Sequence, residues 1–124
     1  MRSRFLLLTL LLFLGACQPN DTRPELLRGQ WQGIAFTESA DSVKLDPSEI
    51  TFDFRPNGVY HYTSTLNYKE AGSYKLDGAI LYTTDTVWRV TGEKAVEIAF
   101  EGKDTLLVNM NRDGIDQQLL MRRQ

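Results

Sequence analysis

The sequence predicts an all-β domain, an antiparallel meander of eight or nine short strands that closes into a small barrel behind a short N-terminal helix. Three observations carry this. Apolar and polar residues alternate in several runs, as where Ile50, Phe52 and Phe54 interleave with Thr51 and Asp53, the period of a half-buried strand. Turn signals punctuate the runs: Arg55-Pro56-Asn57-Gly58, Asp77-Gly78, Glu101-Gly102-Lys103-Asp104 and Asp113-Gly114. Turns this short join only antiparallel neighbours, and closure is one way for a meander to remove its unpaired edges.

The elements follow in order. Asp21 or Thr22 is placed to cap a helix carrying Pro24, Glu25, Leu26 and Leu27, with Gly29 to end it. Trp31 to Thr37 is the first strand, with Gly33 a bend or bulge inside it. Residues 38–48 form a polar connection containing Pro47. Ile50 to Phe54 and Val59 to Thr65 are the next pair, with Tyr60 and Tyr62 on one face and His61 on the other. Glu70 to Leu76, Ala79 to Thr84 and Thr86 to Thr91 follow, the last setting Trp88 and Val90 together. Val96 to Phe100, Thr105 to Asn111 and Gln117 to Arg122 complete nine segments. A Greek-key sandwich would need longer cross-connections, and only residues 38–48 could supply one.

The start of the chain is different in kind. Arg2 and Arg4 precede an apolar run from Phe5 to Leu14. That run is shorter than the roughly 20 residues a membrane-spanning helix needs, and its basic-then-apolar order is that of a secretory signal. It ends in Leu14-Gly15-Ala16-Cys17, which resembles the lipobox of bacterial lipoproteins. The resemblance implies lipid on the Cys17 thiol, cleavage just before it, and a partner in the form of membrane lipid. Cys17 is the one cysteine in the chain, so no internal disulfide accounts for it. Gln18 stands where an aspartate often marks inner-membrane retention in that family, which favours the outer membrane. The domains are thus residues 1–16 as a cleaved signal peptide, 17–24 as lipidated cysteine and tether, and 25–124 as the barrel. The expected location is the cell envelope, with the side it faces and any envelope protein partner left open.

Removal of residues 1–16 takes two of the fourteen basic residues, leaving twelve against sixteen acidic ones, a net charge of −4. No basic face remains for nucleic acid, whose phosphates need clustered lysine and arginine. Catalytic chemistry has little to work with. His61 is the one histidine, so a three-histidine zinc site is impossible, and nothing brings it to Ser64 or Ser73 in a triad. Asp41, Asp46, Glu49 and Asp53 lack the spacing and glycine of an EF-hand loop. The expectation is a protein that is not an enzyme, with no catalytic or metal residues and no cofactor.

The order of features in residues 25–123 resembles the lipocalins and the small lipocalin-like domains of bacterial lipoproteins. Leu26-Leu27-Arg28 leads into Gly29-Gln30-Trp31, like their G-x-W start. Asn57-Gly58-Val59-Tyr60, Gly72-Ser73-Tyr74-Lys75-Leu76 and Leu119-Leu120-Met121-Arg122 look like later hairpins and the closing strand. The resemblance implies that Trp31 closes one end of the barrel under a C-terminal arginine, Arg122 in preference to Arg123. Leu119, Leu120 and Met121 are consecutive and apolar, so parity does not choose between the two.

The family implies a ligand, and Tyr60, Tyr62, Tyr74 and Trp88 are the candidate binding residues, with hydroxyls to orient it. Tyrosine also simply favours strands. Full lipocalins are longer, and strands of about five to seven residues at 3.3 Å each make a shallow barrel that Phe52, Phe54, Phe100 and these aromatics could fill. Two functions remain: binding a small hydrophobic or amphipathic ligand, with the mouth under residues 38–48, or a solid-cored interaction module that holds no small molecule.

Overall fold

The computed structural model describes residues 24–39, 41–42, 44–88 and 92–124. Cys17, the apolar run before it, the candidate helix caps Asp21 or Thr22, and Val90 lie outside the described residues. A one-turn helix α1 (Pro24–Leu27) precedes nine strands: β1 (Gly29–Glu38), β2 (Asp41–Ser42), β3 (Thr51–Phe54), β4 (Val59–Thr63), β5 (Lys69–Asp77), β6 (Ile80–Asp85), β7 (Lys94–Glu101), β8 (Thr105–Arg112) and β9 (Ile115–Arg123). All pairings are antiparallel, and the order is the meander β1-β3-β4-β5-β6-β7-β8-β9, closed by β1 against β9. Eight strands make the barrel. The ninth, β2, is two residues long and pairs only with the end of β1, at Thr37 and Glu38.

This bears out the barrel and corrects one strand. The strand expected from Thr86 to Thr91 does not form over its described residues: β6 ends at Asp85, and residues 86–88 bend across the barrel end. Asp85 causes the bend. Its carboxylate, 7% exposed, accepts the backbone N–H of Val87 at 2.8 Å and of Trp88 at 3.2 Å. An acceptor that captures the next amides competes with the strand ladder. Five strands also run eight to ten residues, β1, β5, β7, β8 and β9, so the barrel is deeper than its length suggests.

Gly33 is the bulge that the sequence suggested. The register of β1 against β9 shifts between Gly33 and Ala35. A Cβ on Gly33 would lie 2.3 Å from the Pro47 carbonyl oxygen, so the 3-10 turn Pro47–Glu49 can cross β1 only where a side chain is missing. The turn is capped by Asp46, whose carboxylate accepts the Ser48 amide at 3.0 Å and its hydroxyl at 2.6 Å; these bonds hold the Asp46 carboxyl below the ordinary carboxylate range.

The core runs up the inside from one end. Leu27, Trp31, Phe54, Tyr60, Leu81, Ile98, Leu106 and Met121 are all at most 1% exposed. Phe52 stacks on Phe54 with centroids 5.0 Å apart, and Tyr74 meets Phe54 edge-on at 5.1 Å. Tyr74 donates its hydroxyl to the Arg55 carbonyl at 2.6 Å; burial raises its pKa, with Arg28 opposing.

Trp31 seals that end, but its partner is not Arg122. Leu119 and Met121 are buried, so alternation puts Arg123 on the inner row directly across from Trp31, and Arg122 is exposed. The half-buried Leu120, on the outer row opposite Leu107, is what blurred the parity. The Arg123 guanidinium carbon lies 4.3 Å from the Trp31 ring centroid. It also donates to the carbonyls of Arg28 at 2.6 Å, Lys103 at 3.1 Å and Leu26. Trp31 in turn donates its indole N–H to the Leu27 carbonyl at 2.8 Å, so one stack binds the helix to both terminal strands. Gly29 completes it: φ is +120°, and a Cβ there would meet the guanidinium at 2.9 Å.

Candidate functional site

The opposite end is hollow. A cavity of about 1020 Å³ lies inside the barrel and opens where β4 leads into β5 and β6 leads towards β7. It is slightly larger than the roughly 300–1,000 Å³ usual for small-molecule sites. The walls are the inner rows of the strands: Phe36, Ile50, Phe52, Tyr62, Leu81, Val96, Val108, Met110 and Leu119. Strand alternation makes this surface apolar, because the same parity that fills the closed end continues up each strand. The cavity exists because the large residues are unevenly placed. Trp31, Phe54, Tyr60 and Tyr74 belong to the closed half and do not line the cavity, while the apolar side chains that β7 to β9 offer to its wall are Val96, Val108, Met110 and Leu119.

One polar cluster breaks the apolar wall. Glu70, 8% exposed, takes three donors: the Tyr60 hydroxyl at 2.7 Å on Oε2, and the Tyr68 hydroxyl at 3.0 Å and Lys94 Nζ at 3.3 Å on Oε1. A carboxylate this enclosed needs such partners to remain tolerable. The effect on the tyrosines is plain. Burial, reinforced by hydrogen bonding to the Glu70 carboxylate, pushes the Tyr68 hydroxyl up to about 12 and raises that of Tyr60 further. Both hydroxyls therefore act as donors at neutral pH and have no general-base capacity there.

The rim is made by two bent segments. Residues 64–68 form a 3-10 turn in which Leu66 and Asn67 hold φ of 60° and 56°. Leu66 is 97% exposed, so no burial offsets its left-handed backbone. Trp88 lies across from this turn, its ring stacked on Tyr68 with centroids 6.4 Å apart and its indole N–H donating to the Lys69 carbonyl at 2.8 Å. Tyr68 in turn meets Tyr62 edge-on at 6.1 Å.

The structure thus divides the four candidate residues. Tyr62 and Trp88 line the cavity, Trp88 from the rim bend and not from a strand. Tyr60 is buried behind the wall and reaches the site through Glu70, and Tyr74 belongs to the closed end. The mouth is at the barrel end where residues 38–48 begin, yet none of the described residues of that segment lines it. Sequence reasoning missed Glu70, Tyr68, Lys94 and Arg112. Three of these were within reach, because Glu70 shares its parity with Tyr74, Lys94 with Val96, and Arg112 with Met110. Tyr68 sits in a turn, where parity says nothing. His61 is exposed on the outer face, opposite Asp53 on β3. Among the described residues no group of three histidine, cysteine or acidic side chains could hold a metal ion.

In shape the chain is similar to a lipocalin-like protein from Bacteroides uniformis, with a TM-score of 0.61 and 16% identity over 80% of this chain and 99% of that one. It is similar also to an uncharacterized protein from Bacteroides eggerthii, with a TM-score of 0.55 and 16% identity over 78% of this chain and 98% of that one. At this identity the likeness shows the fold, a lipocalin-like barrel, and nothing finer. The chain matches no protein-family profile and no curated protein sequence.

Proposed function

We propose that this lipocalin-like barrel is a membrane-anchored carrier or receptor for a small hydrophobic or amphipathic ligand in the cell envelope. The observation that carries the reading is the cavity of about 1020 Å³, open at one end, with mainly apolar inner walls and polar groups such as Glu70, Lys94 and Arg112 nearer its mouth. Water in such a space finds few polar partners, so an apolar ligand displaces it favourably, at roughly 25 cal/mol for each Å² of apolar surface removed from water. The alternative, a solid-cored interaction module, required a filled interior, and the open half of this barrel is not filled. Anchoring rests on Leu14-Gly15-Ala16-Cys17 and on the absence of any disulfide role for a lone cysteine. Two or three acyl chains at Cys17, as in bacterial lipoproteins, would hold the protein stably, where a single chain gives only marginal binding. Gln18 at the next position supports the outer membrane.

Native mass spectrometry of the chain from residue 17 with Cys17→Ser, gently purified after incubation with a lipid extract of cell envelopes, should find a bound small molecule. A panel of lipids should raise its Tm. A protein that carries nothing and responds to no lipid would end the ligand-binding reading. Incorporation of labelled palmitate into the full chain, lost in Cys17→Ser, tests the anchor separately.

A further inference from the structure

We propose that the ligand is an amphiphile with an anionic head, held at the mouth by Arg112 and Lys94 while its apolar tail fills the cavity. This deepens the ligand-binding reading and depends on it.

The argument starts from register. β7 and β8 pair Glu97 with Asn109 and Ile98 with Val108. The ladder begins at that first pair, and beyond it Lys94 of β7 and Arg112 of β8 lie at the same end of the two strands. Both lie on the inner rows, Lys94 above Val96 and Arg112 above Met110, and both line the cavity. Two cations gathered at one mouth repel, and each needs a counter-charge. Only one of them is compensated. Lys94 reaches Glu70 at 3.3 Å, whereas Arg112 has no ion-pair partner among the described residues.

Neither of the two acidic side chains at this end of β1 and β9 forms an ion pair with Arg112. Glu38, at the mouth end of β1, accepts the Gln117 side-chain amide at 2.8 Å, and Asp116 accepts that of Asn111 at 2.9 Å. Glu70 holds two hydroxyls and an ammonium, so it has little capacity left for a cationic head. What the mouth offers is an unneutralised guanidinium beside an ammonium, at the edge of an apolar chamber. A carboxylate or phosphate matches the planar guanidinium fork, and the apolar walls demand a tail behind it.

The test compares heads on one tail. Dodecanoate, dodecyl phosphate, dodecanol and dodecyltrimethylammonium are titrated calorimetrically, below their micelle thresholds, into the Cys17→Ser chain from residue 17. The two anions should bind about ten-fold or more tighter than dodecanol. Arg112→Gln, at an exposed position, should remove that advantage and leave dodecanol affinity unchanged, and Arg112→Lys should retain part of it. If dodecanol binds as well as dodecanoate and Arg112→Gln alters neither, the head assignment fails while the cavity reading stands. Tighter binding of the ammonium amphiphile would overturn it in favour of Glu70. Inorganic phosphate alone matching dodecyl phosphate would reduce the site to a simple anion site and overturn the amphiphile. Binding of none of the four would sink both readings.

Discussion

The two ends of this barrel are built from the same strands and differ in nearly every physical respect. At the closed end, Trp31 is fully buried under Arg123, and a single stack ties α1, β1 and β9 together. At the open end the inner rows carry smaller or half-buried side chains, the walls face a cavity, and Leu66 sits fully exposed in a left-handed conformation. The contrast teaches that close packing and open volume are separated along the barrel axis. One half supplies the close packing that holds a disulfide-free fold of this size, and the other forgoes packing and leaves an internal volume.

The largest effect should come from breaking the closed end. Trp31→Ala removes a buried indole, its hydrogen bond and the platform for Arg123, and should cost about 3–5 kcal/mol in urea unfolding. Met110→Ala at the cavity wall should cost about 1 kcal/mol, because its side chain already faces empty space and truncation encloses no new void. Equal losses would refute the division of labour.

Next is the arginine pair. Arg123→Ala forfeits the cation–π contact and three carbonyl acceptors, and should lower stability by about 2 kcal/mol. Arg122→Ala, on the outer row, should stay within about 0.5 kcal/mol of the parent. Urea midpoints of the two variants in the reverse order would restore the pairing that sequence alone preferred.

A pH series probes the boundary between the halves. Tyr60 and Tyr68 have folded-state pKa values raised above the ordinary value of 10, so the folded protein binds protons that the unfolded chain has released. Their contribution to stability is complete below pH 10 and is lost as pH rises through about 12 and beyond. Tm should therefore fall with increasing slope above pH 10, and less steeply in Tyr60→Phe. A Tm that is level from pH 10 to 12 would contradict the enclosure of these hydroxyls by Glu70.

The smallest effect belongs to the rim. Leu66→Asn relieves the left-handed backbone with a residue that tolerates it and loses no buried area, and should stabilise by about 0.5–1 kcal/mol. A destabilised Leu66→Asn chain would show that Leu66 packs on something at the mouth.

Much of the fold was legible because its causes are local. The alternation of Ile50, Phe52 and Phe54 and the turn at Arg55 to Gly58 need only neighbours in sequence, and both stand as read. Gly33 was legible as a bulge, though not its reason, since Pro47 approaches it from fourteen positions away. The start of the strand expected at Thr86 to Thr91 was misread because β-propensity there is real and the Asp85 carboxylate overrides it by capturing the amides of Val87 and Trp88. Tyr60 and Tyr62 share a face as expected, yet only Tyr62 reaches the cavity, since depth along the barrel axis is invisible to a two-residue period.

The architecture was readable from adjacent residues, because strand period and turn chemistry are local. Which arginine covers Trp31, that the barrel is hollow at one end, and that Glu70, Lys94 and Arg112 all line its cavity emerged only from the folded chain. Those facts depend on register and on how side-chain volumes sum around a closed ring. Both are properties of strands brought together from across the chain, and no local stretch of sequence contains them.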